Sequence, residues 1–281
     1  MSGREMDREF SLDDVSDLDA IFARRAAAAK EALSAFDVER GIAYGEAPGH
    51  RLNIFPARDK GRAAPVQIFI HGGFWRSLDA DLFSFLAPGF VPFGSMLVVI
   101  DYPLMPAARM AEVVEACRMA VRWTYDNCTR YGGDPDRIFI SGNSAGGHLV
   151  AELMDRAWLG DAGLPQDVIK GGAAISGIFD LEPITRSFQN DEIALTEAEV
   201  RNFSPLCRQL DLAAPMIVAV GGDETQEFLR QSTAFAQHAE RCGAIVLHMP
   251  VPHMNHITVV LDALAAPDQP LNRVVRAQMA L

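Results

Sequence analysis

The chain has 281 residues, 49% of them hydrophobic and 22% charged, a balance that excludes a disordered polypeptide and leaves ample material for a core. Its 25 Lys and Arg against 37 Asp and Glu give a formal net charge of −12, which argues against nucleic acid or an anionic membrane surface as partner. No apolar run approaches the roughly 18 residues needed to span a bilayer.

Residues 1–40 read as a polar helical segment, with an Ala-rich stretch and capping Ser and Asp residues in SLDDVSDLDAIFARRAAAAKEALSAF. The pattern changes at Gly41, so the main domain is placed at 41–281 and residues 1–40 are expected to form a small cap. Short apolar runs then recur as LNIF (52–55), VQIFI (66–70), MLVVI (96–100), RIFISG (137–142), GGAAISGIF (171–179), PMIVAVGG (215–222) and AIVLHM (244–249). Continuous β-branched runs of this length suit strands buried on both faces of a mostly parallel sheet. Between them, residues 110–127, the segment opening at SAGGHL, residues 224–241 and residues 257–265 carry helical patterns. The alternation predicts an α/β, doubly wound sheet with helices on both faces. Residues 178–206 are long for a connection and are expected to face the substrate as a further cap.

Gly142-Asn143-Ser144-Ala145-Gly146 fits G-x-S-x-G, with a strand before it and a helix after it. A sharp turn there exposes the serine hydroxyl, and the helix start offers free N–H groups where negative charge develops. Ser144 is therefore the expected nucleophile. His71-Gly72-Gly73-Phe74-Trp75 follows the strand 66–70, and its glycines free backbone N–H groups for an oxyanion, joined by the N–H of Ala145. His71 itself is expected to hold the loop. Phe74 and Trp75 can equally wall the pocket or pack behind it.

A serine nucleophile needs a base, and the base an acid to orient it. Asp223, in GGDET at the carboxyl end of a strand, is the best-placed acid. Glu224 and Glu227 compete, although both read as the start of the following helix, where acidic residues complement the dipole. His256, at a loop-to-helix junction, is favoured as base over His253. His148, His238 and His248 read as packing or surface residues. The cysteines 117, 128, 207 and 242 show neither CxxC nor a Cys/His ligand spacing, and no GxGxxG or Walker sequence occurs. No metal and no organic cofactor is expected. The start MSGREMDREF lacks the apolar stretch of a signal peptide, which predicts a cytoplasmic protein with reduced thiols.

Together HGGFW (71–75), YGGDPDRI (131–138), GNSAGGHLV (142–150), SPL (204–206), GGDETQEFLRQS (221–232) and NHITVV (255–260) resemble the α/β-hydrolase superfamily, in its HGG-type branch. The segments are most similar to arylformamidases of the kynurenine formamidase type, and also to carboxylesterases. The resemblance implies the α/β-hydrolase fold and Ser-His-Asp acyl transfer to water, with Ser144, His256 and Asp223 in those roles. Gly72, Gly73, Phe74, Trp75 and Ala145 would frame the oxyanion and substrate. The implied partner is a small-molecule formamide or ester; a non-catalytic binding protein of the same fold is the competing class, and a homodimer is left open. The family's aromatic residue after the catalytic histidine is replaced here by Ile257.

Overall fold

A computed structural model describes residues 3–13, 15–58 and 62–281. Eight strands form one sheet in the order β1-β2-β4-β3-β5-β6-β7-β8. They are β1 (Glu39–Ala43), β2 (Arg51–Phe55), β3 (Ala64–Ile70), β4 (Met96–Ile100), β5 (Gly133–Asn143), β6 (Ile169–Ile175), β7 (Met216–Gly221) and β8 (Val246–Val251). From β4 to β8 every neighbouring pair is parallel, while β1 and β2 add an antiparallel edge. The expected doubly wound sheet is present, with its central strands buried throughout: every residue of β3, β4 and β7 is buried.

The helices are α1 (Gly3–Glu9), α2 (Leu18–Ala35), α3 (Ala87–Phe90), α4 (Met110–Asn127), α5 (Ala145–Met154), α6 (Asn190–Ile193), α7 (Glu197–Asn202), α8 (Gln226–Arg241) and α9 (Pro270–Gln278). Two apolar clusters lie on opposite faces of the sheet. One joins Val66, Ile68 and Ile140 to α4, α5 and α8; the other joins Phe69, Val99 and Ala219 to α2, α9 and the π-helical turn Val259–Leu264. Among the described residues no helix is long and apolar enough to cross a membrane.

The parallel strands all point their carboxyl ends to one edge, and the loops after β3, β5, β6, β7 and β8 meet there. Residues 178–206 fold into short helical turns and α6 and α7 rather than a separate layer. The segment is pinned by Glu199, whose carboxylate accepts from Arg109 Nε at 3.0 Å and from the Met110 amide at 3.2 Å. The N-terminal segment crosses the same edge. Glu9 accepts the Glu227 amide at 2.7 Å and Thr225 donates to the Glu9 carbonyl at 2.7 Å, so α1 is docked against the start of α8.

Candidate active site

Ser144 sits between β5 and α5 with φ 59° and ψ −120°, outside the regions open to most side chains. The turn is held by packing. The Ser144 amide donates to the Ile175 carbonyl of β6 at 2.9 Å, and its carbonyl accepts the His148 amide at 3.0 Å. A Cβ on Gly146 would collide with the Ile70 carbonyl of β3, so only glycine lets α5 start this close to the sheet. Strain at Ser144 is thus imposed by three strands and a helix.

The HGG loop runs through three successive positive φ angles, 107° at Gly73, 49° at Phe74 and 55° at Trp75. This winding separates the two aromatic residues. Phe74 lines the cavity that Ser144 opens into, together with Gly72 and Gly73. Trp75 does not: it is fully buried, and its indole Nε1 donates to His148 Nδ1 at 3.2 Å. The expectation that Trp75 contacts substrate is therefore corrected; it braces the loop against α5. His148 Nε2 donates to the Phe203 carbonyl at 2.8 Å, which fixes its tautomer. Among the described residues the amides of Gly73, Phe74 and Ala145 donate to no acceptor, leaving free N–H groups beside Ser144.

His71 is also structural, as expected. Its Nδ1 contacts the Gly72 carbonyl at 2.7 Å, and its ring stacks on Tyr102 with centroids 4.3 Å apart. Burial pushes its pKa down to about 4, so the ring is neutral at pH 7. Asp101, 3.7 Å from His71 Nε2, is pushed up to about 6, chiefly by burial.

The acid is where the structure departs from the sequence reading. His256 Nδ1 is hydrogen-bonded to Glu224 Oε2 at 2.6 Å. The other carboxylate oxygen of Glu224 accepts the Gly221 amide at 2.7 Å and the Ser176 hydroxyl. Asp223 is exposed, and its amide donates to the Met254 carbonyl at 3.0 Å. Asp223 is thus replaced by Glu224 as the partner of His256. The reason lies in the turn after β7. Gly222 and Asp223 bond through their backbones to the β8 end and the loop beyond it, which leaves Asp223 at the surface. Glu224 follows, folds back under β7, and has one methylene more with which to reach the imidazole. Helix α8 begins only at Gln226 with Thr225 as its N-cap, so Glu224 stands outside the helix. A Thr cap before a periodic run was the available signal. Glu227 lies inside the helix and pairs with Arg230 and Gln231. His253 is exposed with φ 61° and is not bonded to an acid among the described residues.

Ser144 and His256 share a cavity of about 300 Å³. Six phenylalanines line it: Phe10, Phe22, Phe74, Phe83, Phe188 and Phe228. Phe228 lies against the His256 ring with centroids 4.3 Å apart, and Phe10 meets Phe74 and Phe228 edge-on at 6.4 and 5.8 Å. Four of the six come from outside the motifs. Phe10 and Phe22 belong to the N-terminal segment and Phe188 to residues 178–206, so both segments expected to cap the site contribute walls. Gln189 ties them together, donating to the Phe10 carbonyl at 3.0 Å and accepting from Arg76 at 3.0 Å. Among the described residues no three or more His, Cys, Asp and Glu side chains are grouped to hold a metal ion.

The family model described as alpha/beta hydrolase fold matches residues 67–260. A kynurenine formamidase of Danio rerio is 29% identical over 224 residues, covering 78% of this chain and 74% of that protein. One from Salmo salar is 29% identical over 225 residues with the same coverage. A solved structure from Silicibacter sp. TM1040, provisionally assigned as a thioesterase, superposes with a TM-score of 0.85 at 26% identity, covering 97% of this chain and 99% of that one.

Proposed function

The chain belongs to the α/β-hydrolase family, and on that premise we propose that it cleaves a small-acyl aryl formamide or ester through a Ser144–His256–Glu224 triad. The observation that carries this reading is the 2.6 Å bond from His256 Nδ1 to a buried Glu224, in a cavity that also holds the strained Ser144. Glu224 holds the proton on Nδ1, which leaves Nε2 as the base. Nε2 takes the Ser144 proton as Oγ attacks the substrate carbonyl, and the free amides of Gly73, Phe74 and Ala145 receive the developing oxyanion. His256 returns the proton to the departing amine or alcohol. Water then attacks the acyl-serine by the same route, releasing formate or another small acid.

The six phenylalanines favour an aryl body, since aromatic rings pack edge and face against one another. A volume of about 300 Å³ stands at the small end of ligand cavities, which favours a short acyl group. The fish relatives named kynurenine formamidases support the formamide over the ester. A panel of N-formyl aryl amines and nitrophenyl esters from acetate to decanoate tests the reading. Highest kcat/KM is expected on formyl and acetyl substrates, with Ser144 alone labelled by a phosphonate. A maximum at octanoate or longer, or labelling elsewhere, would overturn it.

A further inference from the structure

Arg25 is a cation in the cavity wall that forms no ion pair among the described residues. It lies on α2, one turn from Phe22 and on the same face as Ala29 and Ala32, and it is only 8% exposed. Among the described residues its guanidinium makes no hydrogen bond and no ion pair, and Nε is buried without a partner. Its neighbour Arg24 is paired with Asp262 at 2.8 Å, so an acid is within reach of this helix and is not spent on Arg25. The guanidinium stands instead over the rings of Phe22 and Phe83, 4.9 and 5.8 Å from their centroids. Among the described residues one acid acts on it and another lies at the rim of the same cavity. Asp79 acts on it electrostatically, but is exposed and accepts the Leu82 amide at 2.9 Å; Asp13, at the cavity rim, is exposed as well.

Arginine stays charged, and a buried charge is costly unless it is paired. A guanidinium held over aromatic faces at the wall of a cavity matches an anion with two oxygens in a plane. We propose that Arg25 binds a carboxylate carried by the substrate, on the aryl leaving-group side of the bond that is cut. The side follows from the reading above, on which this inference rests: a short acyl group leaves no room for a carboxylate on its own side. The ring would lie among the phenylalanines, its carbonyl at Ser144 and its carboxylate on Arg25. The substrate class is then an anionic aryl formamide or ester, in contrast to the acidic character of the chain as a whole.

Binding separates this proposal from the catalytic reading. Benzoate and 3-phenylpropionate, each against its neutral amide, are titrated calorimetrically into the native protein and into Arg25→Met, which keeps the apolar stem. The native protein is expected to prefer the acids, and Arg25→Met to lower that preference about 10- to 100-fold, the weight of a charge-assisted bond. Arg25→Lys should retain part of it, because the charge survives and the fork does not. In kinetics, the ratio of kcat/KM for 4-acetoxybenzoate over phenyl acetate should fall by a similar factor in Arg25→Met, through KM. If the native protein shows no preference for either acid, or if the preference survives in Arg25→Met, the anion site is wrong. If the preference depends on Arg25 while no formamide or ester is hydrolysed, the anion site stands and the hydrolase reading falls.

Discussion

Glu224 and Asp223 are adjacent and carry the same charge, yet only one is bonded to His256. Glu224→Gln keeps a hydrogen-bonding group in place but favours the wrong imidazole tautomer. It should lower kcat by about 10⁴-fold with little change in melting temperature. Asp223→Asn should leave kcat near the native value, since that side chain is exposed. Steady-state kinetics of the two variants decide between them; a crippled Asp223→Asn would mean that the turn after β7 rearranges during turnover. Ser176 adds a finer test. Its hydroxyl donates to Glu224, from a residue with φ 50° that is itself fully buried. Ser176→Ala leaves one carboxylate oxygen short of a donor, and should cost about 1–3 kcal/mol of stability in denaturant unfolding. Its effect on kcat should be much smaller than that of Glu224→Gln.

At the scale of elements, α1 is held by what it does for α8. The Glu9 carboxylate accepts the Glu227 amide, one of the N–H groups that a helix start leaves unpaired. Glu9→Ala should therefore cost roughly 0.5–2 kcal/mol, the range of a lost N-cap. It should also raise KM, because Phe10 follows directly and walls the cavity. An unchanged KM together with lost stability would separate the capping role from the wall. The elements differ in how plainly the sequence announced them. Strands β2, β3, β4, β6 and β7 are largely buried runs, and β5 is one from Ile138 onward, so the apolar runs located them to within a few residues while the polar start of β5 went unread. Strand β1 escaped, because it is an edge strand with exposed residues and a bulge between Glu39 and Ile42. Ser144 and His256 were legible through local pattern: a serine between strand and helix, a histidine after the last strand. Glu224 was not, since its place depended on where α8 begins. The aromatic walls were not legible either. Phe10, Phe22 and Phe188 reach the site only through tertiary docking, and Arg25 reads as one more helix charge until its spacing with Ala29 and Ala32 is set on a buried face.

For the molecule as a whole, two buried histidines make acid the vulnerable side. Burial lowers both His71 and His148 to about 4. As pH falls from 6.5 toward 4, the unfolded chain takes up protons that the native form refuses, so stability is lost across that window. The loss is at most about 3.5 kcal/mol per histidine, since one pKa unit is worth about 1.4 kcal/mol. Asp101, raised to about 6, works in the opposite direction: between its ordinary value and 6 the native form keeps a proton the unfolded chain has released. Burial raises Glu152 and Asp180 in the same sense as Asp101, and lowers His50 and His248 as it does the two fully buried histidines. Four lowered imidazoles against three raised carboxyls leave a net loss, so the melting temperature should drop from pH 7 to pH 4.5. A flat or rising profile would mean that the two histidines titrate freely in the native state. The docking of α1 has one more effect, on time. Thr225 and Glu227 bond to Glu9 across separations of 216 and 218 residues, and Gln189 bonds to Phe10 across 179. Contacts between such distant points close large loops, and loops of that size are expensive until the intervening strands have paired. The last wall of the cavity is then raised after the sheet that supports it. During refolding, helical and sheet signals should recover before activity, and the lag should lengthen in Glu9→Ala.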